Sequence, residues 1–403
     1  MQNIKNKIKA IIINIKNIKP RNKNININSG ITIIKDNINN NLVFKSIFIL
    51  NFINTYVIKL MMITLKEIKD YIENSNNPLI FFDDDADGLS SFLLIRKFID
   101  RGKGIPVKHN TLDESYLKAV DYYNPDLILV LDQHLISQDF VDKINTPIIW
   151  IDHHPIKLVK GVKHFNPLYF NKKPYPTSYW CYEIVKENLW IAMTGITGDW
   201  FLEHYKEFCE KYKDLANINL KEPPDVLFNT KLGLLSKLFT FVLTGKNEDV
   251  KKCINILIRI NDPYEIIEKT TPRGKFIYRK FEKLNKEYEK ILKDAIKNNI
   301  TYKKILLYTY TSKNTSFTGV LANELIYKFP DKVVIVARDK DDGIMRLSIR
   351  SNYKGNIILP ELINKAIFGL KGQSGGHDHA CGGHIDKEDF KTFVDRLEHL
   401  LNK

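Results

Sequence analysis

Cysteine is scarce in this sequence. The four present, Cys181, Cys209, Cys253 and Cys381, lie far apart and form no C-x-x-C pair. That spacing argues against a disulfide frame and fits reduced thiols in a cytoplasmic protein. Long apolar runs are also missing. The longest, Ser46 to Ile58, is broken by Asn51 and Asn54 and is too short to cross a bilayer, so no membrane association is expected. Neither a G-x-S-x-G elbow nor a P-loop occurs. Acid is in deficit, with a net charge of +14. Residues 1–60 hold nine Lys, Arg21 and a single acid, Asp36, so they account for +9 and leave +5 for the rest. The remainder is ordinary for its length, and basicity alone says little about nucleic acid.

The sequence divides unevenly. Residues 1–61 are mostly Ile, Asn and Lys, with no helical or strand period and no small-residue signal-cleavage site. This low-complexity segment is expected to lie outside the functional fold, with Met61 or Met62 as the true start. After it, 62–403 has room for two domains with proper cores.

Acid is concentrated where hydrophobic runs end. Pro78–Phe82 reads as a buried strand and is followed by Asp83-Asp84-Asp85-Ala86-Asp87-Gly88. Pro125–Leu131 is a second such run and ends in Asp132-Gln133-His134; Pro147–Ile151 is a third and ends in Asp152-His153-His154. Gly195-Ile196-Thr197-Gly198-Asp199 supplies a further carboxylate. Strand-like runs alternating with helical stretches predict a parallel, doubly wound α/β sheet. Ligands in such sheets gather at the carboxyl ends of the strands. Like charges crowded there repel unless a cation sits among them, and clustered carboxylates suit hard divalent ions. Gly88 is expected to allow a tight bend, with Ser90 or Ser91 near the following helix start. Asp84 falls out of the alternation and is expected to point away. His134 stays open as a ligand, a substrate contact or a polar loop residue. Pro174-Tyr175-Pro176-Thr177-Ser178 opens a helix over 179–187, with Thr177 or Ser178 as its N-cap.

These motifs, in this order, resemble motifs I to IV of the DHH phosphoesterase superfamily, and Asp83-Asp84-Asp85-Ala86-Asp87-Gly88 is similar to the RecJ-type first motif. Phe81 stands where other branches carry His, and Trp200 where a smaller residue is expected. The resemblance implies two Mn²⁺ or Mg²⁺ ions, with Asp83, Asp85, Asp87, Asp132, His153 and Asp199 as ligands. It leaves open which first-motif acid takes which ion. Asp152 would orient its histidine neighbours, and His154 would face the scissile phosphate.

Residues 225–300 read as a helical connector. Thr271-Pro272 starts a long helix whose apolar stripe is Ile277, Phe281, Leu284, Tyr288, Ile291 and Ala295. In 301–403, strands are expected at 304–310, 333–338 and 344–350, with helices at 318–329, 360–368 and 387–401. Between them, 371–384 carries paired glycines among His377, His379, Cys381 and His384. Those four have zinc-ligand chemistry, but glycine pairs better suit a backbone that approaches an anion. Gly375-Gly376-His377 resembles the GGH motif of the DHHA1 domain, and Arg350 in Ser348-Ile349-Arg350-Ser351 resembles its phosphate-contacting Arg.

The expected architecture is therefore a doubly wound DHH domain over 62–224, the connector, and a smaller α/β DHHA1 domain over 301–403. The resemblance implies a RecJ-like 5′-to-3′ exonuclease on single-stranded DNA or RNA. Its alternatives are a nanoRNase-like or cyclic-dinucleotide phosphodiesterase, or a replication-associated scaffold without catalysis. Single-stranded nucleic acid, short oligonucleotides and the replication factor GINS are the implied partners.

Overall fold

The computed structural model describes residues 61–108, 111–312 and 315–403. The low-complexity segment before Met61 lies outside the described residues. Two sheets organise the chain from β1 onward. The first contains β1 (Pro78–Asp83), β2 (Lys103–Val107), β4 (Leu127–Leu131), β6 (Ile148–Ile151) and β7 (Val162–Phe165). Its order is β2-β1-β4-β6-β7, with every neighbouring pair parallel. Short strands β3 (Thr111–Leu112) and β5 (Leu135–Ile136) pair beside it.

Alternation along these strands covers both faces. Ile80, Phe82, Leu129, Leu131, Ile149 and Ile151 join the main core. Against that face lie α1 (Leu65–Asn74), α2 (Ala86–Ile99), α3 (Thr177–Val185) and α4 (Leu189–Gly198). Phe81, Val130 and Trp150 are buried on the opposite face, where Phe81 meets Tyr116 and Phe140 edge-on. The chain reverses direction across the sheet between β1 and β4. That gap is the switch point at which open α/β sheets hold ligands.

Gly88 serves a different purpose from the expected bend. Helix α2 begins at Ala86, capped by the Asp85 carboxylate, which accepts from Gly88 N at 2.9 Å. A Cβ on Gly88 would sit 2.4 Å from Asp83 O and 2.7 Å from Asp83 N. Glycine is needed because the first helical turn lies directly on the end of β1. Ser90 and Ser91 are buried within α2 rather than capping it.

The connector includes α5 (Lys231–Val242) and ends with α6 (Pro272–Asn298). The stripe on α6 buries Ile277, Phe281, Leu284, Tyr288, Leu292 and Ala295. Leu292 replaces the expected Ile291, because a 3.6-residue period drifts against alternating steps of four and three. These helices are more than a spacer. One apolar cluster runs from Ile68 and Leu93 through Phe241 and Phe281 to Leu306, Tyr308, Val334 and Val336 of the second sheet.

The second sheet has order β12-β13-β11-β10-β9-β8, made of β8 (Ile300–Thr301), β9 (Ile305–Thr311), β10 (Val333–Asp339), β11 (Ile344–Arg350), β12 (Gly372–His377) and β13 (Ala380–Asp386). Only β9 and β10 are parallel. Helix α7 (Thr318–Lys328) covers one face; α8 (Leu359–Ile367) and α9 (Lys387–Leu401) close a second core on the other. The glycine-rich stretch is thus a hairpin at the sheet edge. His377, His379, Cys381 and His384 do not converge there: His379 Nδ1 meets Ser351 Oγ at 3.0 Å, and Cys381 Sγ donates to His377 O.

Candidate metal centre

The carboxyl edge of the first sheet gathers the acids. Asp83 ends β1, Asp132 follows β4 and Asp152 follows β6. Asp199 arrives from another direction, as the residue closing the C-terminus of α4. A helix C-terminus is an unfavourable place for a carboxylate. Asp132 takes φ +64°, a left-handed conformation uncommon for a non-glycine residue. Its carboxylate accepts from Thr177 Oγ1 at 3.0 Å. Asp84 is exposed, as alternation predicts.

Two adjacent sets of donors result. Asp83, Asp85 and Asp132 offer ligand atoms within 4.8 Å of one another, as do Asp87, His153 and Asp199. His153 Nε2 stands between the sets, 3.4 Å from Asp132 Oδ1 and 3.4 Å from Asp199 Oδ2. Its Nδ1 lies 3.3 Å from Pro174 O, the kind of backbone contact that orients a ligating imidazole.

Asp87 differs from the other acids. One oxygen accepts from Thr177 N at 2.7 Å and the other from Ser178 N at 2.9 Å, so both serve the N-terminus of α3. Thr177 and Ser178 are therefore the first residues of α3, not its cap; Pro176 occupies that position without a side-chain bond.

Burial and mutual repulsion dominate the electrostatics. Burial first, then neighbouring carboxylates, holds Asp83, Asp132 and Asp199 well above the usual range. The same causes raise Asp85 to about 6. Among the described residues the His153 imidazole is the one ring lying within 4 Å of both Asp132 and Asp199. Gln133 Nε2 donates to Asp83 at 2.8 Å, which relieves repulsion only slightly.

Histidines border the acids. Asp152 Oδ1 takes the Nδ1–H of His154 at 2.6 Å, and Asn166 fixes the turn by donating to His154 O at 2.9 Å. Burial lowers His154 well below the ordinary imidazole range and takes His134 down to about 3. His377, from the second sheet, reaches this edge, with its ring 4.8 Å from His154 and 6.1 Å from His153. The sequence left the role of His134 open and gave no sign of its packing on His154, because that contact depends on how two loops turn after their strands.

Arg350 is deeply placed on β11. Its Nε donates to Asn323 Oδ1 at 2.5 Å, and its Nη1 to Ile349 O at 3.0 Å and Cys381 O at 3.2 Å. Burial lowers it to about 10, and no carboxylate pairs with it among the described residues. Gly376 has φ +147°, where a Cβ would lie 2.2 Å from Ala380 O, whereas a Cβ on Gly375 would meet nothing within 4 Å. Trp200, at φ +64°, turns its ring against Phe228 and Tyr353, so its bulk fills the junction between the lobes.

The doubly wound sheet with acids at its switch point, followed by a second α/β lobe, is a fold shared with several solved structures. Residues 297–403 match the DHHA1 domain family. RecJ from Thermus thermophilus in complex with Mn²⁺ superposes with a TM-score of 0.58 at 14% identity, covering 83% of this chain and 54% of that one. The chain thus spans about half the length of that RecJ. A DHH domain described as a member of a ribosomal-protein family gives 0.56 at 14% identity, over 84% and 89%. Cdc45 from Entamoeba histolytica gives 0.52 at 10% identity, over 85% and 100%. No curated protein sequence matches the chain. The chain thus shares its fold with RecJ, and its C-terminal part matches the DHHA1 domain family. Among the described residues no helix is long and apolar enough to cross a membrane.

Proposed function

We propose that this protein is a metal-dependent phosphodiesterase that releases nucleotides from the 5′ end of single-stranded DNA or RNA. The observation that carries this reading is the pair of adjacent donor sets, with the His153 imidazole standing between them and, among the described residues, no Lys or Arg paired with the acids. Carboxylates with a single histidine suit Mn²⁺ or Mg²⁺. Asp83, Asp85, Asp87, Asp132, His153 and Asp199 would hold two such ions, which supply charge neutralisation and an activated water for in-line attack on phosphorus. Asp87 also fixes α3 against the site.

The chain's own groups do the rest. Asp152 holds His154 in one tautomer with Nε2 outward, placed to steady the attacked phosphate or to protonate the departing oxygen. Among the described residues Arg350 Nη2 makes no hydrogen bond and no carboxylate pairs with the guanidinium, which makes it a natural partner for a phosphate group. Gly375 leaves open space beside His377 where a nucleotide can lie against the backbone. Short oligonucleotides or cyclic dinucleotides are the alternative substrates within the same chemistry. A replication scaffold is the reading from another class; the Cdc45 likeness is one of fold, and the full set of acids favours catalysis.

The test is an assay of end-labelled single-stranded DNA, RNA, short oligomers and cyclic dinucleotides with Mn²⁺ or Mg²⁺. Release from the labelled 5′ end is expected, falling to background in the Asp132→Ala, His153→Ala double variant. Digestion from the 3′ end alone overturns the polarity, and undiminished cleavage by the double variant overturns the site.

A further inference from the structure

The end of the second sheet away from His377 carries side chains that the metal edge does not use. Cross-strand register sets Tyr310, Arg338, Arg346, His384 and Gln373 abreast, one each from β9, β10, β11, β13 and β12. Alternation fixes the face they share. Val334 and Val336 enter the core that continues into the first lobe, whereas Ile335 and Ala337 enter the core beneath α8 and α9. Arg338 therefore projects on the side of α7 and the first lobe. On that face the buried core ends at Tyr308 and Val336, one step before this row.

The two arginines stand directly opposite each other on β10 and β11, a pairing of like charges that costs stability. One carboxylate serves them. Asp342 accepts from Arg346 Nη1 at 2.9 Å and from Nη2 at 2.7 Å. Asp339, next to Arg338 in the chain, is held by Lys387 Nζ at 2.5 Å. Arg338 makes no side-chain hydrogen bond or ion pair among the described residues, and its Nε is buried without an acceptor. Burial first, with the Arg346 charge behind it, draws Arg338 below the ordinary guanidinium range. A partly desolvated guanidinium left unmatched is costly, and an anion lying across the pair would offset both the lost hydrogen bonds and the repulsion.

We propose that Arg338 and Arg346, with His384 beside them, form a separate phosphate site that holds a second phosphate of a nucleotide chain, away from the metal edge. That the phosphate belongs to a nucleotide rests on the function proposed above; the site itself shares no residue with the metal centre or with Arg350 and His377. Arg350 and His377 fall in one register row, and Arg346 and His384 in another, four residues along β11. At about 3.3 Å per residue the two rows are about 13 Å apart along the strands. A dinucleotide held at the metal edge stops short of Arg338, whereas a longer chain laid over the glycines of β12 and β13 reaches it. Planar guanidinium forks suit a phosphate bound from two sides, and His384 adds a ring N–H at the end of the pair.

Binding is read by fluorescence anisotropy on the full chain carrying Asp132→Ala and His153→Ala, so that strands are held and not consumed. The probes are a dinucleotide and a single strand of about twelve nucleotides with a 5′-hydroxyl end. Adding Arg338→Gln should weaken the longer strand about tenfold, the loss of one charge-assisted contact, and leave the dinucleotide unchanged. The plot of log affinity against log salt should flatten by about 0.7, the share of one phosphate on a single strand. Arg338→Lys keeps the charge and should restore that slope. Thermal melting confirms that each variant is folded. Internal and terminal phosphates share this chemistry, and a dinucleotide with a terminal triphosphate separates them. Sensitivity of that probe to Arg338→Gln assigns the row to chain ends, and sensitivity of the longer strand alone assigns it to internal phosphates. Folded Arg338→Gln that binds every probe with unchanged affinity and salt slope overturns the site and leaves the cleavage reading standing. A chain that binds no probe overturns both.

Discussion

Asp87 shows how one residue type divides its labour. Read in sequence, it is the last of four acids and indistinguishable from a ligand. Folded, it accepts two backbone N–H groups at the start of α3, an anion at the positive end of a helix. Asp87→Asn removes the charge and exchanges one acceptor for an NH₂ that faces a donor. The expected cost is about 1–2 kcal/mol of stability, within the range of a lost cap or a mismatched buried hydrogen bond. Calorimetric titration with Mn²⁺ should find one of the two sites weakened. Unchanged affinity at both would leave Asp87 to the helix alone.

Elements explain why some of the site was legible and some was not. Asp83, Asp132 and Asp152 could be placed together from sequence because each follows an apolar run, and parallel strands bring such ends to one edge. Strands β2 and β7 were not legible: Lys103–Val107 and Val162–Phe165 are short edge strands without a continuous apolar run. No strand was expected in the glycine-rich segment because Gly lowers strand propensity, yet cross-strand register pairs Gly375 with Gly382. The cap of α3 was misjudged since its partner is 90 residues away in sequence. The hairpin offers a matched pair of variants. Gly376→Ala is strained by its φ and by contact with Ala380 O, and should destabilise the fold by about 1–3 kcal/mol. Gly375→Ala meets open space and should fold normally while raising KM. Equal loss of stability in both, measured by denaturant titration, would remove the distinction.

At the scale of the whole molecule, the buried acids link pH, metal and stability. Asp85 rises from 3.8 to about 6, and Asp83, Asp132 and Asp199 move in the same direction. Folded carboxyls that hold protons more tightly than unfolded ones stabilise the metal-free chain below their unfolded value. That contribution is lost as pH rises through about 6. Metal-free protein should therefore melt lower at about pH 7.5 than at about pH 5, and Mn²⁺ should raise Tm more at the higher pH. A Mn²⁺ effect independent of pH would mean these acids are not where the ions bind.

The apolar mass running from α1 and α2 through α6 into β9 and β10 has a mechanical outcome. Jaws that shared no core could gape around the middle of a long polymer. Here, prising the sheets apart would drive water between Phe281, Tyr308 and Phe317, so the gap between them keeps nearly constant width. On the proposed function, a long single strand would enter that gap by a free terminus rather than from its middle.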